Sequence, residues 1–195
     1  MIIIVRHGQT LWNVLKKKQG HKNSKLTNYG KKQGVKVSIF LKKKKLETFK
    51  IYASPIKRGV DYINIIDNEI KNKNIKKNII FSKDLMEHKF GRWEGKTIRE
   101  IKKKFPKEFK DRENNKWKYK IHKGESYQIL YDRIKKFLKK NINLKKNYII
   151  FTHEMVSKVI RGILLNLEKD KIIKLKHNSN YVFVFKNDKI RKIKI

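Results

Sequence analysis

Short apolar runs alternate with helical patterns along most of this chain, and this alternation restricts the fold more than any other feature. The runs are rich in Ile, Val, Tyr and Phe, which favour buried strands. They are Ile2–Val5, Lys50–Ala53, Asn78–Ser82, Tyr148–Phe151 and Tyr181–Phe185. Strands separated by helices predict a mainly parallel sheet that is covered on both faces.

Four segments between and after these strands have the apolar spacing of helices. They are Asn28–Leu41, Ile56–Ile70, Glu125–Leu138 and Met155–Leu167. In the first of them, Val35, Ile39 and Phe40 are expected to form the buried face. After the fifth strand, the pair Asn187-Asp188 indicates a hairpin turn into a last strand. We therefore predict an α/β fold of three layers, α/β/α, whose mainly parallel central sheet has one antiparallel edge strand.

The chain is expected to form one domain over residues 1–195. Hydrophobic residues make up 38% of 195 positions, which is enough for a substantial core, and no linker rich in Gly, Ser or Pro divides the sequence. Residues 84–124 lack regular periodicity. We interpret them as an irregular excursion that caps the substrate pocket, with short helices around Thr97–Lys104.

Basic residues greatly outnumber acidic ones: 53 Lys and Arg against 17 Asp and Glu give a formal charge of +36. A cluster of arginines would indicate nucleic-acid recognition. Here lysines are spread over the whole length beside abundant Ile and Asn, a composition that A/T-rich codon usage can produce. Nucleic acid is therefore not expected as a partner, although a basic nucleic-acid-associated protein on the same fold stays open.

Cysteine is absent, which excludes disulfides, thiolate metal sites and Cys nucleophiles. No apolar run is long enough for a signal-peptide core or a membrane span. We expect a cytoplasmic protein without a membrane partner. The sequence leaves a homodimer open.

Two histidines and two arginines fall at or just beyond the ends of predicted strands. They are Arg6 and His7 after the first strand, Arg58 beyond the second, and His153, preceded by Thr152, after the fourth. The carboxyl ends of parallel strands meet at one edge of a sheet, so these side chains are expected to converge. Guanidinium groups match phosphate oxygens in pairs, and a neutral imidazole can carry a phosphoryl group covalently. The pattern predicts a site for a phosphate dianion.

Further motifs follow in order along the chain. They are Arg6-His7-Gly8-x-Thr10-x-Trp12-Asn13, Gln19-Gly20-His21, Leu26-Thr27-x-x-Gly30-x-x-Gln33, Ser54-Pro55-x-x-Arg58, Leu85-x-Glu87-x-x-x-Gly91-x-Trp93-Glu94-Gly95, Gly124-Glu125-Ser126 and Thr152-His153. In this order, over about residues 2 to 165, they resemble the histidine phosphatase superfamily, which contains the cofactor-dependent phosphoglycerate mutases. The resemblance implies a phosphoglycerate mutase-like fold, in agreement with the layers predicted above.

The resemblance also implies catalytic roles. His7 would be the nucleophile that becomes phosphohistidine. The phosphoryl oxygens would be held by Arg6, Arg58 and His153, which spread the charge of the transition state. Glu87 would protonate the leaving alkoxide and then deprotonate the attacking water, a role that requires a raised pKa.

Four more residues are implied at the phosphate and substrate site. Asn13 would add a side-chain donor to the phosphate pocket, Thr152 precedes the second histidine, and Gln19 and Gly20 fall where family members contact the substrate. The remaining histidines have no metal-ligand spacing and carboxylates are sparse. We expect no metal site and no cofactor.

Two positions depart from the pattern of the family. Glu154 stands where a small residue, commonly Gly, is usual, and Lys158 stands where an arginine is common. A carboxylate beside His153 would raise the pKa of that imidazole; the interpretation we prefer is that Glu154 points away in the first turn of a helix. Glu94 is similarly expected to favour the start of the following helix or to pack with Trp93.

The choice between hydrolysis and mutase chemistry depends on how well the site is covered. Only Lys96–Lys123 lies between the acid-bearing loop and the Gly124-Glu125-Ser126 motif, and family mutases carry a longer insertion. A more open site admits water, which favours hydrolysis. The sequence predicts a metal-independent phosphomonoesterase for a small anionic phosphate ester, with cofactor-dependent mutase chemistry as the alternative.

Overall fold

The computed structural model describes residues 1–70 and 75–195, and the strands in these ranges form one six-stranded sheet. They are β1 (Ile2–Arg6), β2 (Phe49–Ala53), β3 (Ile79–Phe81), β4 (Asn147–Thr152), β5 (Tyr181–Lys186) and β6 (Lys189–Lys194). Their order across the sheet is β3-β2-β4-β1-β5-β6. Neighbours among β1–β4 pair in parallel, whereas β5 is antiparallel to both β1 and β6. The predicted mainly parallel sheet with an antiparallel edge strand is confirmed.

The α-helices of the described ranges connect and cover these strands. They are α1 (Leu11–Val14), α2 (Asn28–Lys42), α3 (Lys57–Ile70), α4 (Ile98–Lys104), α5 (Pro106–Asn114), α6 (Tyr127–Asn141), α7 (Glu154–Leu164) and α8 (Lys169–Lys174). One face of the sheet packs on α2 and α3 and the other on α6 and α7, which gives three layers. In the part of the chain described, none of these helices combines the length and apolar character needed to cross a membrane.

Helix ends account for several differences from the prediction. The helix predicted at Met155–Leu167 is α7 and ends at Leu164, because Asn166 adopts a left-handed backbone with φ of 48°. Neither α1 nor α8 is predicted from apolar spacing, since each is six residues long or less. The polar helix α5 starts at Pro106, whose ring suits the first helical position.

The buried face of α2 also differs from the prediction. Ile39 is 51% exposed, whereas Val37 and Leu41 are fully buried. A Cβ at Gly34 would lie 3.0 Å from Cγ2 of Ile65, so α3 closely approaches the backbone of α2 at that point. Because glycine carries no apolar signal, a helix face that is built around one is missed by hydrophobic spacing.

Alternating side chains of β1 anchor the sheet in its core. Ile2 and Ile4 pack in the layer with α6 and α7, while Ile3 and Val5 pack in the layer with α2 and α3. Each of the four is at most 1% exposed. Burying one such side chain contributes roughly 1.5–3 kcal/mol. The strand end that follows is therefore held in a fixed place.

The pairing register brings the ends of three strands into line. Arg6 of β1 pairs with Thr152 of β4, and the pairing of β2 with β4 ends one residue earlier, at Ala53 and Phe151. The next residues along each strand are His7, Ser54 and His153. They leave the sheet side by side at its carboxyl edge.

The hairpin that ends the sheet has the predicted turn. Asn187 and Asp188 have φ values of 50° and 56°. Two successive positive values are those of a type I′ turn, whose twist matches the strands on either side. The predicted hairpin is confirmed.

Residues 84–124 contain α4 and α5 and have a small core of their own. α4 begins with a capping box, in which Thr97 Oγ1 accepts from the Glu100 backbone N–H and the Glu100 carboxylate accepts from that of Thr97. The segment's buried cluster consists of Phe90, Trp93, Ile101 and Ile121. This region is more ordered than an irregular loop, and it can hold side chains in place over the sheet edge.

Candidate active site

A cavity of about 570 Å³ lies at the carboxyl edge of the sheet. Most of the sequence-predicted site residues line it. These are Arg6, His7, Asn13, Gln19, Gly20, Arg58 and Glu87. Thr152 and His153 are buried, at 2% and 0% exposure, and both contact His7. The Thr152 carbonyl accepts from the His7 N–H, and the His153 ring lies against the His7 ring.

His7 is positioned directly beyond β1 and is 4% exposed. Its Nδ1 lies 2.8 Å from the Gly8 carbonyl oxygen, which can only accept, so Nδ1 carries the proton. Its Nε2 therefore has the lone pair, and Arg58 Nε donates to it at 3.1 Å. Burial, together with the charges of Arg58 and Arg6, lowers the pKa of His7 well below its ordinary value. His7 is thus a neutral imidazole whose Nε2 lone pair faces the Arg58 guanidinium.

Arg58 is held over His7 by a loop that precedes α2. Its Nη1 donates to the Lys22 carbonyl at 2.7 Å, and its Nη2 donates to the Gly20 carbonyl at 2.8 Å. The side of α3 that carries Arg58 is tied to the same loop, since the Arg58 N–H donates to Asn23 Oδ1 at 2.9 Å. Burial lowers the pKa of Arg58 to about 10. The guanidinium thus stays charged at neutral pH.

His153 lies against His7, with ring centroids 5.2 Å apart. Its Nε2 contacts the Ser54 hydroxyl at 2.7 Å, and its buried Nδ1 has no hydrogen-bond partner among the described residues. Burial and the charge of Arg58 lower the pKa of His153. Burial thus outweighs the pKa increase that a carboxylate at position 154 would cause.

Glu87 is buried at the side of the cavity, with 7% exposure. One carboxylate oxygen accepts from the His88 N–H at 2.9 Å, and the other lies 3.5 Å from the Met155 nitrogen. The loop that carries it is fixed to the sheet, because Thr152 Oγ1 donates to the Leu85 carbonyl at 3.0 Å. Burial raises the pKa of Glu87, and the His88 bond opposes this increase only in part.

Glu154 contacts Arg6, so the expectation that it points away is wrong. Its Oε2 lies 2.9 Å from Arg6 Nη1, which also donates to the His177 carbonyl. Glu154 is the first residue of α7 and lines the cavity. The pairing of β1 with β4 is the physical reason, because it places Arg6 next to the start of α7. The cavity thus has a carboxylate beside Arg6.

Glu94 stabilises the loop that holds Arg58, because its carboxylate accepts from backbone N–H groups of that loop. The role expected for it at a helix start is wrong. Its Oε1 accepts from the N–H groups of Phe90 and His21 at 3.1 and 3.0 Å, and its Oε2 lies 3.2 Å from the Lys22 nitrogen. A Cβ on Gly20 would lie only 2.1 Å from Glu94 Oε1, and Gly20 has φ of 56°. Only glycine therefore fits at that position.

Replacing Glu94 by Gln is expected to lower the free energy of unfolding by about 2 kcal/mol, because an amide –NH₂ group cannot accept these buried N–H bonds. Urea denaturation measures the change. The matched variant Glu47→Gln alters an exposed carboxylate and is expected to shift stability by less than about 0.5 kcal/mol. Equal stability of Glu94→Gln and the parent protein would contradict the stabilising role of Glu94.

Asn13 and Gln19 present polar groups to the cavity in different ways. Asn13 Oδ1 accepts from the Thr10 N–H and hydroxyl at 3.0 Å each, which leaves its –NH₂ end as the donor. Gln19 is 8% exposed, and its Oε1 has no hydrogen-bond partner in the described ranges. Both residues line the cavity.

The remaining walls carry residues that sequence reasoning did not single out for this site. Together with the residues already described, eight basic side chains and three carboxylates line the whole cavity, beside aromatic rings such as Tyr127 and Trp93. Lys18 and Arg112 are among the basic ones, but lysines are too common in this chain for the sequence to indicate them. Within residues 1–70 and 75–195, no three His, Asp or Glu side chains converge in a group that could hold a metal ion.

Comparison with known proteins identifies a family and several relatives that resemble this chain. The model of the histidine phosphatase superfamily (branch 1) matches residues 2–193. Phosphoserine phosphatase 1 of Hydrogenobacter thermophilus is 27% identical over 87% of the chain and 78% of that protein. Fructose-2,6-bisphosphatase of Saccharomyces cerevisiae is 29% identical over 87% of the chain but only 35% of that protein. The structure of a putative alpha-ribazole-5′-P phosphatase from Escherichia coli superposes with a TM-score of 0.84 at 16% identity, covering 100% of this chain and 94% of that one.

Proposed function

The chain belongs to the histidine phosphatase superfamily, with named phosphatases among its relatives, and we propose that it is a metal-independent phosphomonoesterase that forms a phosphohistidine at His7. The observation that carries this proposal is the state of that imidazole: neutral, protonated at Nδ1, and with Nε2 beside the Arg58 guanidinium. A lone pair next to fixed cationic donors suits attack on the phosphorus of a dianion.

In the first step, His7 Nε2 attacks phosphorus while the bond from phosphorus to the ester oxygen breaks. Phosphate oxygens replace the imidazole as acceptors from Arg58, and they contact Arg6 and His153 as well. Protonated Glu87 gives its proton to the departing alkoxide, a role that its raised pKa supports. The products of this step are the free alcohol, a phosphohistidine and an ionised Glu87.

In the second step, water attacks the phosphohistidine and the bond between phosphorus and Nε2 breaks. Ionised Glu87 takes a proton from that water, so the acid is regenerated with the neutral imidazole. Inorganic phosphate leaves. The Nδ1–H bond to the Gly8 carbonyl keeps the ring in one orientation through both steps.

Two features of the cavity support a small, anionic ester and hydrolysis. Its eight basic side chains against three carboxylates attract anions. Its lining includes Lys16 and Glu113, whose side chains are exposed, so water has a route to the phosphohistidine. As part of the same proposal, residues 1–195 form one domain in which residues 84–124 cap the pocket. We further propose that the enzyme works in the cytoplasm without a nucleic-acid or membrane partner. A homodimer stays open.

Hydrolysis of p-nitrophenyl phosphate in the presence of EDTA tests this proposal. We expect chelator-resistant release of inorganic phosphate, together with an acid-labile and alkali-stable phosphoryl group on the peptide that contains His7 after a rapid quench. Loss of activity in EDTA that divalent metal restores would contradict metal independence. Transfer of the phosphoryl group to a second ester, with no release of phosphate, would instead indicate mutase chemistry.

A further inference from the structure

The second histidine of the site has a hydrogen-bond partner at only one of its two ring nitrogens. Nε2 of His153 lies 2.7 Å from the hydroxyl oxygen of Ser54, whereas Nδ1 is buried and forms no hydrogen bond in the part of the chain that the structure describes. Burial and the charge of Arg58 lower the pKa of His153, so the neutral ring carries one proton. The nitrogen that holds this proton decides what His153 can do for a phosphate dianion.

The hydrogen bonds of Ser54 indicate where that proton is. Ser54 follows β2 directly and is 2% exposed, and its Oγ accepts from the Ile56 N–H at 3.3 Å, across Pro55. Among the described residues, the other hydrogen-bond partner of this hydroxyl is Nε2 of His153. A hydroxyl has one proton to donate, and a buried donor without an acceptor is costly. The hydroxyl therefore donates to Nε2, and the ring proton is on Nδ1.

A second serine and histidine pair shows the same donation where the roles are unambiguous. His177 is fully buried, and its Nε2 lies 2.9 Å from the Tyr181 carbonyl oxygen, which can only accept. Nε2 of His177 therefore carries the proton, so its Nδ1 accepts from the Ser157 hydroxyl at 2.6 Å. A buried serine of this chain thus donates to a neutral imidazole.

The Nδ1–H group of His153 needs an acceptor, and a bound phosphate supplies one. The rings of His153 and His7 have centroids 5.2 Å apart, so a phosphoryl group on His7 brings its oxygens close to the second ring. A lone pair at Nδ1 would repel these oxygens, whereas an N–H donates to them. We propose, resting on the proposed function, that Ser54 is a positioning residue: its hydroxyl donates to Nε2 of His153 and thereby fixes the tautomer whose Nδ1–H donates to the phosphate.

The tautomer can be measured without any substrate. Long-range ¹H–¹⁵N correlation spectra distinguish a protonated ring nitrogen from one with a lone pair. The chain contains a reference for each tautomer, since the proton is on Nδ1 in His7 and on Nε2 in His177. We expect His153 to give the pattern of His7 in the parent protein, and the proton to move to Nε2, at least in part, in Ser54→Ala. A parent His153 with the pattern of His177 overturns the proposal, even in an active phosphatase.

Kinetic measurements show what this tautomer contributes to catalysis. Ser54→Ala is expected to lower kcat/KM for p-nitrophenyl phosphate about tenfold and to weaken inhibition by inorganic phosphate by a similar factor, whereas Ser54→Thr keeps the hydroxyl and both values. The matched variant Ser82→Ala removes the same kind of turn bond after β3, where Ser82 Oγ accepts from the Asp84 N–H at 3.2 Å. No histidine of the described ranges is hydrogen-bonded to Ser82, so both values should stay unchanged.

Three results overturn the proposal. Ser54→Ala can keep the parent tautomer of His153, it can keep the parent kcat/KM and phosphate inhibition, or it can lose no more than Ser82→Ala does. In each case Ser54 only closes its turn. Failure of the proposed function is distinguishable from these results, because the parent protein would then not hydrolyse p-nitrophenyl phosphate through His7, whereas the spectra still report the tautomer.

Discussion

Replacing His7 by Ala is expected to lower kcat for phosphate ester hydrolysis by about 10⁴-fold or more, because the substitution removes the atom that we propose bonds to phosphorus. The protein should remain folded, since the apolar residues that hold this strand lie before position 7. Steady-state rates with p-nitrophenyl phosphate measure the effect, and intact-mass analysis after a rapid quench detects the loss of the phosphoenzyme.

Two companion variants sharpen that experiment. His122→Ala removes an exposed imidazole outside the cavity lining and is expected to retain full activity. His7→Gly leaves space in which added imidazole can act as the nucleophile, so partial rescue is expected. Full activity of His7→Ala would disprove the proposed nucleophile.

Replacing Glu87 by Gln is expected to lower kcat for alkyl phosphates by about 10³-fold, the range of a lost general acid. The loss should be much smaller for p-nitrophenyl phosphate, because nitrophenolate leaves without a proton. Since burial raises the pKa of Glu87, the acid form persists to higher pH than for an exposed carboxyl. Activity with alkyl esters should fall as the pH rises through that pKa.

The pH profile distinguishes proton donation from a structural role. In Glu87→Gln the alkaline decline should disappear together with most of the rate. Glu69→Gln, which alters an exposed carboxylate on α3, is expected to keep both the rate and the profile. Equal losses for alkyl and aryl esters, with an unchanged profile, would show that Glu87 only supports the loop around it.

The convergence of the site on one sheet edge could be predicted, because it depends on local signals. The apolar runs before Arg6 and Thr152 are short and flanked by polar residues, and the observed strands β1 and β4 coincide with these runs to within one or two residues. Once two such strands are parallel, their ends meet whatever the details of the helices. The register of Arg6 with Thr152 therefore brings together residues that are far apart in the chain.

Contacts made across the fold could not be predicted in this way. Glu94 accepts from backbone N–H groups more than 70 positions away, and a backbone N–H leaves no trace in the residue type. The orientation of Glu154 depends on where Arg6 lies in the next strand rather than on its own helix. Such carboxylates are assigned by local rules to helix starts, and only the tertiary structure reveals their partners.

Because basic side chains are in excess, ionic strength is expected to change the stability of the fold and the catalytic efficiency in opposite directions. With 17 acidic residues against 53 basic ones, most cations cannot be neutralised one to one. Dissolved ions screen charges beyond about 8 Å at physiological ionic strength, which relieves repulsion in the compact state. The same screening weakens the attraction of the eight basic side chains of the cavity for the phosphate ester that we propose as substrate. The conditions that best preserve the fold are thus those in which it captures substrate least well.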